Sequence, residues 1–239
     1  GIGFNSGDQS SWVDTGGSIS QSGHFRQPMG TTNIEVGGMN DSEKITYYTP
    51  GVNCFKVGVS YASWAGEDGG GQFDRNANKS DYVMAGANYK AKMGGMSVGI
   101  SAGYGTVTDA EAGAGADSEP QATAFGVRLG MGAFGVIIAT ANFEDTGSKD
   151  GTAVAGSVTY DTGPLGISLG YHHGEREGDA AKSGQAEADV FHLSAKYSLG
   201  MGVAVKSTLG MATYTTDDPT VTDDEHSGTY FVTGLTLGF

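Results

Sequence analysis

Residues 227–239 read SGTYFVTGLTLGF. Phe231, Thr233, Leu235, Leu237 and Phe239 fall on one parity, and Tyr230, Val232, Gly234, Thr236 and Gly238 on the other. The first set is mostly large and apolar, the second mostly small or polar. A period of two is that of a β-strand, whose successive side chains point to opposite faces. With lipid on one side and a lumen on the other, a membrane-spanning strand shows this division. The alternation runs to the last residue, which a frayed tail would not need.

Composition agrees. Glycine supplies 42 of 239 residues and proline 5. Glycine is costly in helix interiors, and on a strand it marks close approach or a face with little side-chain volume. No stretch approaches ~18 consecutive apolar residues, so no transmembrane helix is expected. The mean hydropathy of −0.24 would suit a soluble protein. A barrel wall breaks that inference, because half of its strand residues face water. The single cysteine, Cys54, excludes an internal disulfide framework and reads as a small residue beside a turn. The formal net charge of −14 disfavours nucleic acid as a partner.

Working back from the terminal segment, alternation predicts eleven strands. They cover about 43–49, 54–64, 81–92, 95–106, 121–131, 134–143, 152–161, 165–173, 190–198, 201–214 and 227–239. In 165–173, Leu165, Ile167, Leu169 and Tyr171 oppose Gly166, Ser168, Gly170 and His172. The segment 134–143 is ambiguous, because Val136, Ile137 and Ile138 are contiguous and Phe134 and Phe143 have opposite parity. Both phenylalanines face lipid only if a bulge intervenes.

The connections alternate short and long. Short ones are expected at 50–53, 93–94, 132–133, 162–164 and 199–200, long ones at about 65–80, 107–120, 144–151, 174–189 and 215–226. Short turns on one rim and long loops on the other are the layout of outer-membrane barrels. The long connections hold 20 of the 27 acids, against Arg75, Lys79, Lys149, Arg176 and Lys182. Strand basic residues are placed inward by parity: Lys44, Lys56, Lys90, Arg128, Lys196 and Lys206, with Lys92 too close to a turn to assign. Inward placement avoids the roughly 2–4 kcal/mol cost of Lys or Arg on the lipid face at mid-membrane. Most strand aromatics take the outward parity near strand ends, as in aromatic girdles.

The stretch EKITYYTPGVNCFKVGVSYA (43–62) and the terminal GLTLGF resemble the general bacterial outer-membrane porins, with the flavour of those of α-proteobacteria. That resemblance implies an all-β fold, a transmembrane antiparallel β-barrel of sixteen strands in the full protein, with about eleven represented here as the sixth to the sixteenth and the first five absent from this sequence. It implies one β-barrel domain over 1–239, with 1–42 as a constriction-type loop and 43–239 as strands. It further implies a homotrimer in the bacterial outer membrane, passing small hydrophilic solutes and ions by passive diffusion. Phe239 would be the closing-strand assembly signal. The loop acids Asp8, Asp14, Glu35 and Asp41 would face the wall residues Lys44, Lys56, Lys90, Arg128, Lys196 and Lys206 across the narrowing.

No catalytic group is expected. The strongest enzyme alternative is an outer-membrane phospholipase, whose family carries a His-x-Ser pair on the lipid face. His192-Leu193-Ser194 has that spacing, but its parity turns His192 and Ser194 inward. A structural or adhesive barrel is the other alternative, which large inward side chains would favour. No cofactor is required; Asp217, Asp218, Asp223 and Asp224 could bind Ca2+ through carboxylates, but a merely acidic surface loop explains them as well. The acidic mouth predicts a modest cation preference.

Overall fold

The computed structural model describes residues 43–51, 53–64, 80–109, 120–144, 150–179, 182–216 and 225–238. It contains β1 (Ile45–Tyr48), β2 (Phe55–Ala62), β3 (Ser80–Met93), β4 (Met96–Asp109), β5 (Gln121–Met131), β6 (Phe134–Glu144), β7 (Gly151–Thr162), β8 (Leu165–Asp179), β9 (Lys182–Gly200), β10 (Val203–Thr216) and β11 (Glu225–Leu237). Each strand pairs with its neighbours in sequence, in the order β1 to β11. All these pairings are antiparallel. Every segment expected from alternation is a strand. β1 is the most trimmed, at 4 residues.

The turns have the chemistry that antiparallel neighbours require. Met93 pairs with Met96, leaving Gly94 and Gly95 as the connection, with φ of +55° and +86°. Positive φ at both central positions matches the twist of the flanking strands, and glycine adopts it without a Cβ clash. Between the paired residues Thr162 and Leu165, Gly163 takes φ of +55° and Pro164 follows. The fixed negative φ of proline suits that second position.

One long connection is not a loop. β8 and β9 continue to an Asp179–Lys182 pairing, so most of 174–189 is hairpin. The apolar-out alternation ends near Tyr171 because the outward positions turn polar beyond it, at His173, Glu175, Glu187 and Asp189, whereas backbone pairing needs no apolar side chains. β9 reaches 19 residues, well beyond the ~9–11 that cross a bilayer.

Burial follows parity. One register row on the outer face runs Leu129, Val136, Val158, Leu169, Leu193, Leu209, Phe231 through β5 to β11. All seven are exposed, from Val136 at 39% to Phe231 at 66%. The adjacent positions on the other face are closed: Ser194 and Thr208 are 0% exposed and His192 1%. Large apolar residues outside and small polar ones inside invert a water-soluble sheet, and such an apolar surface requires hydrocarbon cover. Phe231, Leu235 and Leu237 all point outward, as expected.

β6 resolves its ambiguity without a bulge. Its ladders to β5 and β7 are unbroken. Phe134, Val136 and Ile138 are exposed on the outer face, and Ile137 is buried on the inner one. Phe143 therefore points inward, packed beside Ala139, Ala141, Ala153 and Ala155.

Candidate functional site

Outer-face tyrosines mark the long-loop boundary of the apolar band. Tyr61 Oη donates to Asp81 Oδ1 at 2.5 Å, Tyr104 Oη to Gln121 Oε1 at 3.1 Å, and Tyr171 Oη to Asp189 Oδ1 at 2.5 Å. Each ring lies among exposed apolar neighbours while its hydroxyl reaches a polar partner on the next strand. This arrangement suits a headgroup boundary. The Tyr171 and Phe191 rings are 4.4 Å apart, and His173 Nδ1 lies 3.0 Å from the same Asp189 oxygen. Toward the short turns, Phe134 and Tyr160 pack at 4.9 Å.

The inner face divides into two zones. Its long-loop half is apolar and aromatic. Ala188, Val190, Ala212, Tyr214 and Tyr230 form one buried cluster there. These large inward residues differ from the small, hydrophilic wall expected from glycine and serine content. The alternation in β11 classed Tyr230 with small residues, but its ring lies over Gly210, whose missing Cβ makes the space.

Toward the short turns the same face becomes basic. Lys196 and Lys206 are direct cross-strand partners on β9 and β10. Lys90 and Arg128 both oppose Gly99, one from each side. Lys56 opposes Asn88. Lys92 opposes Ser97 and so joins the inner face, which its nearness to a turn had left open. Lys44 lies just before β1, outside the ladder. Among strand acids whose side chains are described, Asp161, opposite Gly166, takes the inward parity.

The acids expected at the mouth are partly elsewhere. Glu175 opposes Glu187 and His173 opposes Asp189, and these positions share the outward parity of Tyr171 and Phe191. Glu175 accepts from Thr152 Oγ1 at 3.1 Å and from Gln185 Nε2 at 2.7 Å. Their charge faces the outer boundary rather than the lumen. Register reveals this distinction, which a count of loop acids misses.

Lys56 Nζ stands 4.5 Å from the centre of the Tyr48 ring. That ring covers Gly58, where a Cβ would come within 2.7 Å of it. The contact holds the lysine stem near the wall. Tyr48→Ala is expected to cost about 0.5–1 kcal/mol through the lost cation–π contact. Urea unfolding in liposomes, compared with the parent chain, measures it.

The His192–Ser194 pair has the predicted inward orientation. Ser194 Oγ shares its 2.9 Å hydrogen bond with Thr208 Oγ1. His192 lies over Gly170. Neither group reaches the lipid face, where a lipid hydrolase needs its nucleophile. Among the described residues, no group of three or more His, Cys, Asp or Glu side chains could hold a metal. Asp8, Asp14, Glu35, Asp41, Asp217, Asp218, Asp223, Asp224 and Phe239 lie outside the described residues.

Comparison with known proteins agrees with this architecture. Residues 2–218 match the family model described as Gram-negative porin. A solved structure, the anion-selective porin from Comamonas acidovorans, is similar at 15% identity with a TM-score of 0.50; the match covers 91% of this chain and 69% of that one. Another, OmpT (in-vitro folded), an outer membrane protein of Vibrio cholerae, has 16% identity and a TM-score of 0.46, with coverages of 81% and 61%. A comparison with curated proteins gives no match.

Proposed function

We propose a modest anion preference for the channel of this chain, which belongs to the Gram-negative porin family. It is an outer-membrane porin, and a porin acts as a channel rather than as an enzyme. The solutes proposed are small and hydrophilic, and they cross by passive diffusion. The observation that carries the preference is the wall charge. Lys56, Lys90, Lys92, Arg128, Lys196 and Lys206 line the inner face, against Asp161 on the wall and the four acids of residues 1–42 proposed to face it, so the balance is only narrowly positive and the preference modest. Acids at the outer boundary act on the pore only through screening of roughly 8 Å at physiological ionic strength. This reverses the weighting that the loop charges alone suggest.

Reversal potentials in a KCl gradient test it. The expected sign is that of chloride permeating faster than potassium. Joint Lys90→Gln and Arg128→Gln substitution should move the potential toward the cation side, with a roughly twofold fall in the permeability ratio. A cation preference in the unmodified channel would instead put control at the acidic mouth.

Two finer elements belong to the same reading. Residues 1–42 are proposed to fold inward, with Asp8, Asp14, Glu35 and Asp41 facing the basic wall. The support is their position before the strand that resembles the sixth of a porin. The assembly is proposed to be a homotrimer on the same resemblance, and light scattering of the detergent-solubilised protein measures its mass.

A further inference from the structure

We propose that Met93, Met96 and Met131 form a thioether site for a soft monovalent metal ion of the Cu(I) type. The site lies on the outer face at the short-turn rim, outside the channel. The three methionines stand on consecutive strands in one register row. Met93 on β3 opposes Met96 on β4, and Met96 opposes Met131 on β5. Residues so paired have Cβ atoms about 4.5–5.5 Å apart. Each side chain is unbranched with three rotatable bonds, so the three sulfurs can converge on one point. Met84, Met201 and Met211 stand on other rows or in a turn.

The surroundings suit this use. The row continues through Phe134, opposite Met131, to Tyr160, opposite Phe134. The boundary row is therefore aromatic on β6 and β7, as a girdle requires, and thioether on β3 to β5. Hydrocarbon cover alone does not call for sulfur, since Leu199 supplies it at the same end of β9. Met93 is 50% exposed, Met131 69% and the central Met96 36%. Gly94 and Gly95 separate Met93 from Met96, and Gly132 follows Met131. A Cβ at any of these glycines would meet nothing within 4 Å, so the approach from the short-turn side is open. Lys92, next to Met93 in the chain, opposes Ser97 on the inner face, and its charge lies across the sheet.

The chemistry selects the ligand. Thioethers are soft, uncharged donors and favour Cu(I) over hard cations such as Ca2+ or Mg2+. A Cys or His site must lose protons to bind a metal, so its affinity falls with pH. A thioether has no proton to lose, and affinity here is expected to be independent of pH.

Silver nitrate tests the site, Ag(I) being a redox-inert counterpart of Cu(I). It is titrated in chloride-free buffer into the folded full chain in detergent micelles, with methyl-13C methionine observed by NMR. Cys54 is exposed and would bind the same ion, so it is replaced throughout by C54S. The signals that vanish in M93L, M96L and M131L are expected to shift together, with one end point. That end point should be the same at about pH 7 and about pH 5, across the titration range of histidine. Leucine keeps the apolar volume. M93L/M96L/M131L should weaken binding at least about tenfold, and M201L/M211L should leave it unchanged. The site is overturned if the three signals shift at separate concentrations or no more readily than those of Met201 and Met211. It is equally overturned if binding is lost at the lower pH, or if the triple leucine variant binds as tightly as the C54S parent. Should that variant fail to fold, the methyl shifts of the C54S parent decide.

Discussion

Leu193→Arg is expected to be among the most damaging single substitutions on the outer surface. Leu193 lies between Leu169 and Leu209 in its row, and all three are exposed on the lipid face. Along β9 it falls between the outward aromatics Phe191 and Tyr197, near the middle of the apolar band. Arginine there costs about 2–4 kcal/mol. That lowers the folded-to-unfolded ratio roughly 30- to 900-fold. Against a typical stability of about 5–15 kcal/mol, little inserted protein should survive mild urea in liposomes. Ser198→Arg is the matched control, on the same strand, inward and exposed at the short-turn end. It should unfold within about 0.5 kcal/mol of the parent. Equal damage at both positions would mean that lipid and lumen faces are wrongly assigned.

Gly210→Val is expected to have the next largest effect. A Cβ at Gly210 would overlap the Tyr230 ring, and a valine adds two methyl groups beyond that. Tyr230 is 6% exposed and packed with Ala188, Val190, Ala212 and Tyr214. The ring therefore cannot swing away without disturbing that cluster. Overpacking of this kind costs about 1–3 kcal/mol. The double variant Gly210→Val/Tyr230→Ala should lose less than Gly210→Val plus Tyr230→Ala measured separately, because the two residues compete for one space. Additive losses in urea unfolding would show that the ring and the glycine are not coupled.

The selectivity experiment probes a different level. Insertion depends on the outer face, where burial in hydrocarbon dominates. Permeation depends on the inner face, where a few charges set the field. A substitution that moves one property and not the other separates the two.

Much of the fold was legible in the sequence, and for one reason. A strand between lipid and a protein or water interior must alternate, so the period-two signal marks each crossing. Phe231, Leu235 and Leu237 declared both a strand and its face. The short turns were legible to within a residue: one was expected at 93–94 and lies at Gly94-Gly95, and Gly163-Pro164 falls within the expected 162–164. Where the outward positions turn polar, the apolar-out signal stops too. Thus β8 and β9 past Tyr171 read as loop, although their backbones stay paired. Three contiguous apolar residues in β6 likewise hid which of them faces inward.

The sequence by itself determined eleven crossings, their outward residues and the inward parity of Lys56, Lys90, Arg128, Lys196 and Lys206. These follow from local geometry, because each side chain alternates with its immediate neighbours. Only the tertiary structure decided what lies beside what. Register between strands is set by hydrogen bonds between residues distant in the chain. It alone made Lys196 the partner of Lys206, laid Tyr230 over Gly210, brought Lys92 onto the inner face and turned Glu175 and Asp189 toward the outer boundary.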